Sequence, residues 1–108
     1  MENSKIFADI KEADEVRKSA EAYCKLQKQL GNPTREGMIE ALKSAHEVAW
    51  QEIRLLEHSQ GDVIPTPWSD FSNQDLFRKL TQYQQGLFAH AANKFGEEVF
   101  KMALREYN

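Results

Sequence analysis

The chain carries three histidines, one cysteine and seventeen carboxylates, and any metal or hydrolytic chemistry would have to be built from these groups. In a helical protein the informative metal-binding spacing is Glu-x-x-His on facing helices, because it brings carboxylate and imidazole to one level. None of the histidines has it: Lys43 stands three positions before His46, Leu55 before His58 and Leu87 before His90. There is no His-x-x-x-His pair, and Cys24 stands alone, so the sequence predicts no metal and no cofactor. Cys24 sits beside Tyr23 on an apolar helical edge, where a thiol is a small hydrophobe rather than a nucleophile. His46 lies within an apolar stripe and reads as a core histidine able to respond to pH.

Two acidic pairs suggest an enzymatic alternative. Glu36 and Glu40, at i and i+4, share a helix face, and Asp14-Glu15 is the other close pair. Were both pairs to meet around a substrate phosphate, they would suit a magnesium-dependent nucleotide pyrophosphohydrolase-like helical enzyme. Asp14 and Glu15 lie among lysines, however, and nucleophile elbows, phosphate-binding loops and dinucleotide fingerprints are all missing from the sequence. The sequence therefore predicts no catalysis, with the hydrolase as the competing reading.

Composition narrows the remaining classes. The chain has 108 residues, is 41% hydrophobic and 29% charged, and has a net charge of −3. That length suits one helical domain over 1–108 with a single core, and a lone cysteine rules out an internal disulfide. No apolar run is long enough to span a bilayer, and the first residues lack a signal-peptide pattern, so the expected location is the cytoplasm, with no membrane partner. Residues 1–30 hold six acids and six bases, 31–60 five and three, and 61–108 six and five. No third is basic, so no nucleic-acid partner is expected, and a DNA-binding regulator is the least supported class. The small clusters Arg17-Lys18 and Arg78-Lys79 read as solvated faces.

The elements that must position any site are helical. Apolar residues recur at steps of three and four from Ile6 to Leu30 and again from Met38 to Leu56, which predicts helices over about 5–30 and 33–58. Gly31 is placed as a left-handed residue closing the first, and Asn32-Pro33 as the cap and first position of the second. So short a turn makes the two an antiparallel hairpin. In the second, Ile39, Leu42, His46, Ala49, Ile53 and Leu56 follow the alternating steps of a heptad. Residues 59–71, with Gly61, Pro65 and Pro67, read as an ordered connecting strap. Ser72 with Asp75 forms a capping box, and Phe71 with Leu76 a hydrophobic staple, so a third helix begins at Asn73 and runs to about 95. Gly96 separates it from a short helix over about 97–107. The predicted fold is all-α, a small bundle in which the third and fourth helices pack on the wide apolar face of the second.

One segment departs from the average. Residues 80–93, LTQYQQGLFAHAAN, are fourteen positions without a formal charge in a chain that is nearly a third charged. Aromatic, amide and small residues without charge are typical of the centre of a protein contact, and of a helix covered on several sides. The sequence therefore predicts a small acidic protein-binding module, a regulator, inhibitor or adaptor whose partner is another protein or a second copy in a homodimer. Its expected contact residues are Tyr83, Gln84, Phe88 and His90, with Trp68 in the strap as an aromatic anchor.

Overall fold

A computed structural model describes residues 13–59 and 68–107. Four helices make up the fold, α1 Ala13–Gly31, α2 Arg35–Ser59, α3 Asn73–Phe95 and α4 Glu97–Tyr107, with a 3₁₀ turn at Trp68–Asp70 before α3. The described residues contain no strand. The part of the first predicted helix before residue 13, and positions 60–67 of the strap, lie outside the described residues.

The α1–α2 corner is built differently from the sequence expectation. Gly31 is the last residue of α1, and Gly96 is the one glycine with positive φ among the described residues. The cap of α2 is Thr34 rather than Asn32. Its hydroxyl accepts from the Gly37 N–H at 3.1 Å, and its carbonyl from the Met38 N–H at 2.8 Å. The Thr34 N–H in turn donates to Gln29 Oε1 at 2.9 Å. Thr34 caps the helix because its hydroxyl reaches the third N–H while its own N–H is held by Gln29 from the preceding helix. Beyond the corner, Lys25 Nζ reaches Ser44 Oγ at 3.5 Å and Glu40 at 3.8 Å, so α1 and the first part of α2 run antiparallel.

Helix α2 is not straight. Ala49 has φ −132° and ψ 40°, which divides it into residues 35–48 (α2a) and 50–59 (α2b). Its partners on α3 show what the break does. Arg35 bonds Asn73 at 2.7 Å and the His46 ring lies 6.4 Å from that of Tyr83, so partners rise together along α2a. After Ala49 they descend: Glu52 meets His90 at 3.0 Å, but Glu57 meets Lys79 at 3.2 Å. On a straight helix parallel to α3, Glu57 would lie about two to three turns beyond Tyr83. The chain therefore turns back across α3 after the break, with α2a parallel to α3 and the end of α2b returned to the level of Lys79 and Tyr83.

Helix α3 starts where the sequence placed it. Ser72, with φ −69° and ψ 160°, accepts from the Asp75 N–H at 3.1 Å, and Phe71 and Leu76 are both buried in the same cluster. At the other end Gly96 has φ 96°, a conformation that favours glycine. Its N–H donates to the Ala92 carbonyl at 3.0 Å, while its own carbonyl accepts from Phe100 at 3.1 Å, so one residue closes α3 and opens α4. Helix α4 packs on α1 and α3 rather than on α2 as expected. The reason is that the apolar face of α2 is already occupied by α1 and α3.

The core has two parts. The larger joins Leu26 of α1, Met38, Leu42 and Ile53 of α2 and Leu76, Leu80, Tyr83 and Leu87 of α3. The smaller joins Val16 and Ala20 of α1, Ala91 of α3 and Phe100 and Ala103 of α4. Tyr23 packs against both.

Because the Ser72 cap is the only side-chain acceptor serving the first turn of α3 among the described contacts, Ser72→Ala should lower stability by about 1 kcal/mol and Ser72→Gly by only a few tenths. Urea unfolding of both variants checks this.

Candidate functional site

Within the uncharged segment, α3 exposes a single stripe. Thr81, Gln85, Ala89 and Asn93 are exposed at steps of four, while the residues between them are buried or half-buried. The other faces of the helix are taken by α2 and by α1 with α4. Gln85 and Ala89 of this stripe border a shallow groove of about 390 Å³ between α1 and α3, whose remaining lining is Tyr23, Gln84 and Phe88. The aromatic floor is fixed by ring contacts. Tyr23 lies 6.1 Å from Phe88 and 5.6 Å, edge-on, from Phe100, and Phe88 lies 5.5 Å from Phe100. Such tilted and edge-on pairs hold aromatic rings in one orientation. Among the described residues no charged side chain lines the groove, so they offer an apolar floor rimmed by glutamine amides.

The five expected contact residues fall in three places. Gln84 and Phe88 line the groove. Tyr83 is fully buried and so cannot meet a partner in this conformation; on α3 it projects toward α2, as its contact with His46 shows. Trp68 is half-buried, 5.4 Å from Phe71 and 5.9 Å, edge-on, from Tyr83, so it caps the core. His90 faces α2b, where Nδ1 lies 3.0 Å from Glu52 Oε2. The groove residues the sequence did not single out as contacts are Tyr23, Gln85 and Ala89. Gln85 and Ala89 were visible as part of the neutral stripe, whereas Tyr23 needed the α1–α3 packing.

Sequence reading also missed a buried polar cluster. Lys79, expected on a solvated face, is 2% exposed, as is Glu57. Lys79 Nζ donates to Glu57 Oε2 at 3.2 Å and to Gln82 Oε1 at 3.3 Å, and the Tyr83 hydroxyl donates to the same Glu57 oxygen at 3.1 Å. Glu57 Oε1 is buried without a hydrogen-bond partner. The available signal was position: Lys79 stands three residues after Leu76 and four before Tyr83, and Glu57 four after Ile53, each on an apolar stripe.

The acidic pairs of the hydrolase alternative do not meet. Glu40 faces Lys25 at 3.8 Å, Asp14 faces Arg17 at 3.8 Å, and Glu15 bonds Lys94 of α3 at 2.8 Å. Since Lys25 lies level with residues 40–44, Asp14 is about 15 Å further along the hairpin. Among the described residues no three His, Cys, Asp or Glu side chains gather as metal ligands. Burial pushes the Cys24 thiol up, which disfavours the thiolate. A hydrogen bond from Lys94, reinforced by its charge, holds Glu15 below the ordinary carboxylate range. For Glu52 burial is the largest influence and acts upward, but the bond from His90, a backbone bond and the charges of His90 and Lys94 together bring it below that range. No helix among the described residues is long and apolar enough to cross a membrane.

Set against known protein families, curated proteins and solved structures, the chain matches none.

Two predictions follow from these polar contacts. Lys79→Met leaves Glu57 as a buried charge without its cation and should cost about 3–5 kcal/mol. Adding Glu57→Gln, which keeps an acceptor for Tyr83, should recover most of the loss in a urea double-mutant cycle. A carboxyl held low in the folded state stabilises fully above its unfolded pKa, and that stability is lost as pH falls through the folded value. The stability difference between wild type and Lys94→Gln, followed by urea unfolding, should therefore be present at neutral pH and shrink as pH falls through the lowered Glu15 value.

Proposed function

We propose that this chain is a non-catalytic protein-binding module, acting as a regulator, inhibitor or adaptor, and that the α1–α3 groove receives an apolar side chain carried on a helix of another protein. The observation that carries this reading is the groove's chemistry: Tyr23 and Phe88 at the floor, Gln84 and Gln85 as amide donors and acceptors at the rim, and no charge among the described residues that line it. Charge-depleted aromatic centres with polar rims are characteristic of protein contacts. Filling the groove with one leucine or phenylalanine side chain is worth roughly 1.5–3 kcal/mol, a useful anchor within a larger contact.

A second copy suits this groove less well. A two-fold contact brings the same patch against itself, and α3 exposes no large apolar side chain between residues 80 and 93 that could fill the groove. Among the described residues the exposed large apolar side chains, Trp50, Leu55, Phe77 and Tyr107, all lie outside that stretch. If one of them filled the groove of a neighbour, closure by a two-fold would need the reciprocal insertion as well, with that residue and the groove in one patch.

A displayed library of helical peptides, selected on the wild-type chain and counter-selected on Ala89→Arg, tests the proposal. Enriched peptides should carry a leucine or aromatic anchor with uncharged neighbours and lose at least tenfold in affinity for Ala89→Arg. Failure to enrich, or enrichment of peptides that bind Ala89→Arg equally, would overturn it. So would a homodimer, seen by light scattering, that Ala89→Arg dissolves, since that places a second copy in the groove. Retention of the helical circular-dichroism signal by Ala89→Arg keeps the comparison valid.

A further inference from the structure

The break in α2 occurs where the local sequence gives no reason for one. Sharp bends in helices ordinarily coincide with proline, glycine or an inserted group, yet residues 38–59 contain neither proline nor glycine, and the residue at the break is alanine, the strongest helix former. The apolar stripe also keeps its phase across the break: Ile39, Leu42 and His46 before it continue as Ala49, Ile53 and Leu56 in unbroken heptad steps. Two segments packed independently in opposite directions would have no need to share one phase. Next to the break, large apolar side chains are uncovered, Trp50 at 49% and Leu55 at 71% exposure.

From these observations we infer that Ala49 is a hinge and that the chain forms an exchanged dimer with a second copy. In that dimer α2 runs straight over its 25 residues, about 37 Å, and carries α2b, α3 and α4 across to the partner. Each bundle is then assembled from α1 and α2a of one copy and α2b, α3 and α4 of the other. The contacts between the two halves are kept but made between chains, among them Glu15 with Lys94, Arg35 with Asn73 and Tyr23 with Phe88. The Glu57–Lys79 pair lies wholly within the moving half and stays within one chain. The gain is a continuous helix through Ala49, together with a new contact where the two straightened helices cross beside Trp50 and Leu55. Exchange of this kind needs no new surface in the bundle itself, since every closed contact is reused. It is independent of what fills the α1–α3 groove.

Cross-linking distinguishes the two arrangements. In a Cys24→Ser background, Glu15→Cys and Lys94→Cys are joined by a short bismaleimide after size-exclusion chromatography with light scattering. The expected result is a dimer fraction that grows with protein concentration and whose cross-links run between chains, giving a covalent dimer on a denaturing gel, while the monomer fraction cross-links within the chain. Ala49→Gly weakens the straight helix in both copies and should raise the dimer dissociation constant roughly thirtyfold, with the helical monomer retained. A monomer at all concentrations up to millimolar overturns the inference. So does a dimer whose cross-links remain within each chain, because that dimer associates side by side.

Discussion

The fold turns on one carboxylate. Glu57 accepts from both Lys79 and Tyr83, donors one helical turn apart on α3, and it can do so only if residue 57 comes back level with that turn. With Arg35 and His46 also held on the same α3, that requirement is met by the break at Ala49, which sets both α2a and α2b against α3. Once the side of α3 under α2 is occupied, α1 and α4 are left the other, where Tyr23, Phe88 and Phe100 meet. The cluster is costly to bury, since a lysine and a glutamate both leave water and one carboxylate oxygen has no hydrogen-bond partner. What offsets this cost is geometric: a salt bridge with a phenol beside it discriminates between registers far more sharply than leucine on leucine. A one-turn slip of α2b would leave both charges buried and apart.

The neutral segment takes its meaning from the same arrangement. A helix with neighbours on two sides has room for only one exposed stripe, and on α3 that stripe is Thr81, Gln85, Ala89 and Asn93. The burial of the other faces explains why charges are missing from most of residues 80–93. It does not explain their absence from the stripe itself, where a lysine or glutamate would be accommodated at no cost in desolvation. Four solvent-facing positions without a charge, bordering an aromatic-floored groove, are the part of the pattern that core packing leaves over, and this remainder supports a contact surface.

Legibility followed the locality of each signal. The start of α3 was readable because Ser72, Asp75, Phe71 and Leu76 act within one turn, and the α3–α4 junction because Gly96 is the residue its positive φ demands. The α1–α2 corner was misplaced by two residues because two capping candidates, Asn32 and Thr34, stood next to one proline, and the choice depended on Gln29 reaching over from the previous helix. The break at Ala49 had no local signal at all: it accompanies contacts made to one α3 from both sides of it, Arg35 with Asn73 and Glu57 with Lys79. The groove was half legible, since its α3 wall follows from composition but Tyr23 enters only through the pairing of α1 with α3.

A helix whose own sequence favours continuity, bent by contacts made elsewhere, is in balance between local and tertiary preference. The bend arises because both sides of the break rest on one α3, Arg35 with Asn73 before it and Glu57 with Lys79 after it; the second of these lies within the moving half and persists whichever copy supplies α1 and α2a. What differs between the closed and exchanged forms is confined to a few residues around Ala49, so small changes there shift the equilibrium without disturbing either core. The groove joins α1 to α3 and is therefore built within one chain in the closed form and across two in the exchanged form, with the same lining. Binding at that groove draws the two halves together in both forms alike, and a ligand with equal affinity for two states shifts neither. The proposed partner binding and the proposed exchange are thus separable: one rests on the exposed stripe of α3, the other on a single alanine in α2.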